Sequence, residues 1–382
     1  MDIEILQEGR LRAWCARLSM PEGGTDALVA TARTISSDEE LLQIFAAFHE
    51  KTAVFGEWHQ DWEPLPMDER VTSRLGDDEA SRFYLLAYMA ALPLAEREYR
   101  RKGISLEIFN HTMSDLSIWY QHEYDLRGQW MFKQFPWIWR HVSCKLFRLG
   151  RLQFMLLPFP GKITAFRNRG SGRVMLLGDP SMPLREDGYA NGAGGKDPEA
   201  EPWYAQLEET PAGWRGNSIT AQGCTLHQMI FLLRSEWQPV LRHGETILDL
   251  HIPRGVKMTE ASCRESFQQA YQFFSEYFPD QPFKGVYCHT WFFTPQLQQI
   301  LPAESNIVRF QREFYLYPHP GSPQFLWNFV FGEKYTEVTT APRDTELRNA
   351  VLDWLEQGNE LFDLPGVMLH DPDAWGTQPY YR

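Results

Sequence analysis

The sequence predicts an α+β fold in two parts, on three observations. Apolar residues recur at helical spacing up to about His141, short strand-like runs take over after Cys144, and the stretch from Glu245 to Phe293 alternates strand, helix and strand. At 382 residues the chain exceeds the usual single compact domain, so two cores are expected. The boundary falls where the pattern changes: an all-helical N-terminal domain over 1–143, then a domain over 144–382 with a mixed sheet, flanking helices and a long loop at 179–222.

In the first part, Ser37 reads as the cap of a helix that carries Leu41, Leu42, Ile44, Phe45 and Phe48 on one face. Glu79 to Arg100 repeats the pattern with Phe83, Leu86 and Met89, and another helix is expected over Ile104 to Tyr124. The aromatic cluster Trp130, Phe132, Phe135, Trp137 and Trp139 is either a ligand platform or core, and core is the commoner use of such residues.

In the second part, Leu146 to Leu157 and Arg173 to Leu177 read as strands, with Arg169-Gly-Ser-Gly-Arg173 as a hairpin turn. Asp179 to Gln222 breaks all periodicity and is read as a loop of functional length. Its Asn191-Gly-Ala-Gly-Gly-Lys196 lacks the spacing of a phosphate loop. Thr246 to Ile252 is a strand, Thr259 caps a helix with Phe267, Tyr271, Phe274 and Phe278 at helical period, and Gly285 to Phe293 is a second strand, so a parallel βαβ unit is expected. A short helix over Thr294 to Ile300 follows. Ile307 to Tyr317 and Phe325 to Phe331 read as an antiparallel hairpin across a His-Pro-Gly-Ser-Pro loop, and Asp344 as the cap of a closing helix ending before Gly358.

Composition narrows the function. Hydrophobic residues at 43% and aromatics at 14% describe a globular protein able to bury large cores. With 37 Lys+Arg against 50 Asp+Glu the formal charge is -13, which repels phosphate backbones and anionic membranes, so neither nucleic acid nor membrane is an expected partner. Asp2, Glu4 and Glu8 leave no basic region of a signal peptide, and no apolar run approaches the ~20 residues that span a bilayer, so a cytoplasmic location is expected. Cys15, Cys144, Cys224, Cys263 and Cys288 are widely spaced, without CxxC, and read as reduced thiols with no metal.

Strand alternation sorts the candidate chemistry. Asp249 and His251 share a face at the end of the first βαβ strand; Tyr287, His289 and Trp291 share a face of the second. Cys288 points away from His289, which disfavours a Cys–His nucleophile. His251 is the leading general-base candidate, with a structural histidine as the other reading, and His289 can face it across the parallel pair. On the expected strand Ile307 to Tyr317, Glu313 and Tyr315 either assist proton transfer or belong to a wet sheet face. The segment Pro253-Arg-Gly-Val-Lys-Met-Thr259 leads into a helix N-terminus. It is either an anion site or an ordinary capped turn.

The order of elements together with LFRLGRLQF (Leu146 to Phe154), LDLHIPRG (Leu248 to Gly255), CHTWFF (Cys288 to Phe293) and SNIVRFQREF (Ser305 to Phe314) resembles a bacterial family of GNAT-like acyltransferases with a helical N-terminal domain. The resemblance implies a GNAT-like acyltransferase domain over 144–382, with acyl-CoA or acetyl-CoA as co-substrate and a small-molecule or peptide amine as acceptor attacked directly. It implies that Arg254, Gly255, Val256, Lys257 and Thr259 form the cofactor loop, and that His251, His289, Glu313 and Tyr315 are the catalytic candidates. The loop has one Gly where the family signature Q/RxxGxG/A has two, and the alternative function is a catalytically silent GNAT-like fold that binds a protein or small ligand.

Overall fold

The computed structural model describes residues 3–53, 67–195, 199–255 and 257–378. By packing, the chain divides into two compact units, residues 1–155 with 252–256, and residues 156–251 with 257–382.

Eight helices make up most of the described part of the first unit: α1 (Glu8–Arg17), α2 (Glu22–Ser37), α3 (Glu39–Ala53), α4 (Glu69–Met89), α5 (Leu92–Lys102), α6 (Leu106–Met113), α7 (Asp115–Arg127) and α8 (Phe135–Val142). A hairpin of β1 (Leu146–Leu149) and β2 (Leu152–Pro158) follows, and β2 runs on past the division at Met155. The expected apolar faces are core: Phe45, Phe83, Leu86 and Met89 are fully buried, as are Phe132 and, nearly so, Trp139. The cap of α3 differs from expectation. The Asp38 carboxylate accepts the N–H groups of Glu40 and Leu41 at 3.0 and 3.1 Å, whereas the Ser37 hydroxyl donates back to Thr34 O inside the last turn of α2.

The second unit contains β3 (Ile163–Asn168), β4 (Val174–Gly178), β5 (Pro183–Leu184), β6 (Trp203–Tyr204), β7 (Leu207–Thr210), β8 (Gly213–Ile219), β9 (Thr225–Leu233), β10 (Trp237–Leu241), β11 (Thr246–His251), α9 (Glu260–Tyr277), β12 (Val286–His289), α10 (Leu297–Ile300), α11 (Asn306–Gln311), β13 (Tyr315–Leu316), α12 (Pro323–Val330), α13 (Glu346–Glu356) and β14 (Pro365–Met368). In its mixed sheet the order is β11-β12-β14-β13, with β11 parallel to β12 across α9 and the other pairs antiparallel. A second, antiparallel sheet runs β10-β3-β4-β8-β7, with β9 on the free side of β8. Ile247, Tyr315, Tyr317 and Val367 from the mixed sheet share one apolar core with Ile163, Leu176 and Ile219 from the antiparallel one. Each sheet thus turns one face inward, as stacked sheets must to bury their apolar sides.

This second sheet corrects two expectations. Val174–Gly178 belongs to it and not to the mixed sheet, and 179–222 is not a loop, since β5 to β8 lie within it. The hidden strand, β8, is buried at every position but Arg215, so it shows no alternation of apolar and polar residues. Its Asn217 is buried as a tie between neighbouring segments, accepting Gln206 N–H at 2.8 Å and donating to Leu226 O and His227 O. The turn at 169–173 does join the antiparallel pair β3 and β4, with Asn168 Oδ1 accepting the N–H groups of Gly170 and Ser171.

The expected hairpin at 307–331 is also corrected. Asn306–Gln311 and Pro323–Val330 are helices, and only Tyr315–Leu316 is strand between them. Ser305 and Ser322 are their N-caps, accepting Val308 N–H at 3.2 Å and Gln324 N–H at 3.1 Å, with Pro323 at the first helical position. In α13 the cap is Thr345 and not Asp344, which pairs instead with the Arg348 side chain at 2.7 Å. The strand expected to Phe293 ends at His289, where Thr290 caps a single 3-10 turn, Trp291–Phe293.

The cap of α9 follows expectation. The Thr259 hydroxyl accepts Ser262 N–H at 3.1 Å while Ser262 Oγ accepts Thr259 N–H at 3.0 Å. Thr259→Ala is therefore expected to destabilise the protein by about 1 kcal/mol in a urea titration, with Thr259→Ser close to wild type. No helix among the described residues is long and apolar enough to cross a membrane.

Candidate functional site

The pairing of β11 with β12 sets the site. Asp249 lies opposite Tyr287 and Leu250 opposite Cys288, and His251 and His289 are the next residue on each strand, where both strands end. Leu248, Leu250, Val286 and Cys288 point to the other face and are fully buried. Burial pushes the Cys288 thiol well above its ordinary pKa, and the Asp249 carboxylate adds to this, so the group stays a thiol.

Each of the two histidines has a carboxylate partner. His251 Nε2 is 2.8 Å from Asp249 Oδ2 on the same strand face, as alternation requires. His289 Nε2 is hydrogen-bonded to Asp363 Oδ2, and Asp363, itself buried, accepts Ser322 N–H at 2.9 Å on its other oxygen. The hydrogen bond to Asp363 fixes the orientation of the His289 ring. Beyond His289 the His319 ring stands edge-on, 4.8 Å between centroids. Burial lowers the His319 pKa below its ordinary 6.5, and the neighbouring His289 lowers it further.

Beside this face is a cavity of about 420 Å³, lined among others by Tyr287, Tyr317, His319, Lys162, Asn191 and Pro365. Burial pushes both tyrosines far up, helped at Tyr287 by the Asp249 carboxylate and at Tyr317 by Tyr287 and then Asp249, so they remain phenols able to donate. Gly161 is needed at the wall, because a Cβ there would lie 2.2 Å from Phe159 Cζ and 2.7 Å from Tyr317 Oη.

The predicted cofactor loop is divided between the units. Arg254 and Gly255 go with the first, where Arg151 donates to Pro253 O at 2.8 Å and the Arg254 guanidinium lies 6.0 Å from the Trp119 ring centre. Gly255 has φ +137°, with nothing within 4 Å of where a Cβ would be. Val256 lies outside the described residues, as does Lys196. Lys257 and Thr259 go with the second unit and lead into α9. The N–H groups of Glu260 and Ala261 have no partner among the described residues. The Glu260 carboxylate is paired with Arg309 at 2.9 Å and Arg264 at 3.2 Å, so it does not leave the helix start negative.

Glu313 and Tyr315 are not on one wet face, because α11 replaces most of the strand on which they were placed. Glu313 is buried, accepting Gln378 N–H at 2.9 Å and lying 3.2 Å from His370 Nε2, and the Tyr315 hydroxyl donates to Val174 O in the core between the sheets. Neither lines the cavity. Sequence reasoning singled out His251 and His289 but missed Asp363, His319 and Tyr317. The one local signal was His319 itself, set between Pro318 and Pro320. No group of three or more His, Cys, Asp and Glu among the described residues is placed to hold a metal ion.

A helical unit followed by a mixed sheet with a parallel βαβ crossover, and polar side chains at its strand ends, defines an α+β protein of the GNAT-like class. Residues 146–368 match the GNAT-like C-terminal domain family and residues 9–144 match the N-acyltransferase N-terminal domain. The chain belongs to this family of GNAT-like acyltransferases with a helical N-terminal domain. No curated protein matches the sequence. Among solved structures, an acyltransferase mutant in complex with octanoyl-CoA is 20% identical, with a TM-score of 0.63 over 94% of this chain and 87% of that one. An acyltransferase in complex with decanoyl-CoA and teicoplanin is 21% identical, with a TM-score of 0.62 over the same shares. A further acyltransferase complex with decanoyl-CoA is 17% identical, with a TM-score of 0.63 over 95% and 88%. At these identities the likeness is one of fold.

Proposed function

We propose that the protein is an acyl-CoA-dependent N-acyltransferase of the cytoplasm that moves an acyl group, acetyl or longer, to a small-molecule or peptide amine by direct attack. The observation that carries this reading is the end of the β11–β12 pair, where each strand closes on a histidine with a carboxylate within reach and Tyr287 of the same pair lines a cavity. Amine acylation needs a group that takes the proton from the attacking nitrogen, and histidine is suited to that at neutral pH. The acyltransferases of this fold bind octanoyl-CoA and decanoyl-CoA, and one of them binds teicoplanin, which supports an acyl-CoA donor and a sizeable acceptor here. The pyrophosphate is assigned to the start of α9, where the N–H groups of Glu260 and Ala261, Thr259 and the Lys257 ammonium offer an anion site. Arg254, Gly255 and Val256 keep their cofactor assignment within the same proposal. Tyr315 is assigned a supporting role only, since its hydroxyl donates in the core between the sheets, and Glu313 a supporting role beside the start of α9, where it lines a small pocket with Thr259 and Glu260.

Acetyl-, octanoyl- and decanoyl-CoA offered with an amine panel (spermidine, glucosamine, a glycyl peptide) should release free CoA thiol, read by a thiol reagent. His251→Ala should lower kcat by about 10²-fold or more while leaving acyl-CoA affinity intact. Absence of binding heat and of thermal shift with all three thioesters would instead support a silent fold.

A further inference from the structure

His319 belongs to none of the proposed catalytic or cofactor groups, yet it is the histidine that lines the cavity. His251 and His289 each have Nε2 against a carboxylate oxygen. Neither ring nitrogen of His319 has a hydrogen-bond partner among the described residues, and the ring of His289 stands edge-on beside it. A half-buried imidazole with unused nitrogens at a cavity wall is the geometry of a group that meets a ligand.

The loop that carries His319 is built to hold it still. Pro318 and Pro320 on either side fix two φ angles, so little backbone freedom remains to be lost on binding. Both ends are tied to the segment 363–365, where β14 begins: Tyr317 N–H donates to Pro365 O at 3.2 Å, and Ser322 N–H donates to Asp363 Oδ1 at 2.9 Å. Gly321 N–H donates to His319 O at 2.7 Å, which closes the loop on itself. Asp363 therefore holds the His319 loop through one oxygen and the His289 ring through the other.

We propose that His319, the ring at the cavity wall, is the catalytic residue that takes the proton from the acceptor amine, and that Asp363, His289 and the neighbouring His251 act behind it as positioning residues. The inference rests on the acyl-transfer reading above. The amine nitrogen attacks the thioester carbonyl carbon, the C–N bond forms, and the N–H proton passes to a His319 ring nitrogen. The C–S bond then breaks, its electron pair leaves on sulfur, and the CoA thiolate takes up that proton to leave as the thiol. His319 must enter this cycle neutral. The ionisable groups that face it are His289 on β12, Asp363 ahead of β14, and the cavity-lining Lys162, Tyr287 and Tyr317. Burial and His289 outweigh Asp363, so the ring is neutral at physiological pH and gains a proton only below pH 6.5.

The test compares the full-length wild type with His319→Gln and His319→Ala, using acetyl- and decanoyl-CoA with the amine panel, and measures acyl-CoA binding and thermal unfolding alongside. The expected result is a loss of roughly 10²–10⁴-fold in kcat in both variants with acyl-CoA affinity retained. The acidic limb of the wild-type profile, below pH 6.5, should vanish in His319→Gln, and free imidazole should partly restore His319→Ala. Wild-type turnover that His319→Gln keeps, acidic limb included, overturns the assignment and leaves the acyl-transfer reading standing. Failure of wild type to bind or consume either thioester overturns both. Ring NMR of the full chain gives a second check independent of the acceptor: one histidine should titrate below 6.5 and its signal should be missing in His319→Gln, whereas an ordinary pKa for that ring counts against the proposal.

Discussion

Asp363→Ala is expected to lose both activity and stability, and Asp363→Asn to separate the two. Asp363 is buried, and its two oxygens accept from different elements, the backbone N–H of Ser322 at the cap of α12 and the ring of His289 on β12. Removing the carboxylate leaves the Ser322 N–H without its acceptor and the His289 ring without its anchor, and the two losses together cost about 1–3 kcal/mol. Asparagine keeps an oxygen for Ser322 but replaces the charge beside His289 with an amide. We therefore expect Asp363→Ala to unfold about 2 kcal/mol more easily in urea. Asp363→Asn should unfold near wild type while its kcat falls about 10²-fold. Equal kcat for Asp363→Asn and wild type would remove the His289 pair from the chemistry.

Gly321→Ala is expected to be the most disruptive single methyl in the site. A Cβ at this position would lie 1.8 Å from Asp363 O, 2.9 Å from Asp363 C and 3.1 Å from Asp363 N. These are backbone atoms, which cannot rotate away as a side chain can, so the loop itself must move. Gly321 O also accepts Gly194 N–H at 2.9 Å, so the shift breaks a second contact. Overpacking of this kind costs about 1–3 kcal/mol, and the loss should be near the upper end here. Gly255→Ala is a useful comparison, because nothing lies within 4 Å of its Cβ position and only the backbone at φ +137° is strained. Circular dichroism melts of the two variants should show the larger fall for Gly321→Ala, together with lost turnover.

The βαβ unit was legible because three independent signals coincide there. Phe267, Tyr271 and Phe274 repeat at helical period, Thr259 supplies a cap, and both flanking runs are the length of strands. The segment 307–331 offered only short apolar runs, Phe314–Tyr317 and Phe325–Phe331 broken by Asn328, for which period alone does not tell a strand from a buried helix. Its Ser-Pro start at Ser322 was the signal for helix. In 179–222 the strands were masked because β8 is buried on both faces and polar Asn217 acts within it as a structural tie.

The sequence alone determined that His251 and Asp249 share a face, that His289 stands with Tyr287, and that Cys288 turns away from both, because side chains on a strand alternate whatever surrounds them. Only the tertiary structure decided that Asp363 reaches His289, that His319 stands beside that pair at a cavity wall, that Tyr315 is engaged in the core, and that Glu313 lies by the start of α9. Asp363 lies 74 residues from His289 along the chain. The contact exists because β14 pairs antiparallel with β12, and strand pairing across such a distance is set by how whole sheets bury their faces, which no local pattern records.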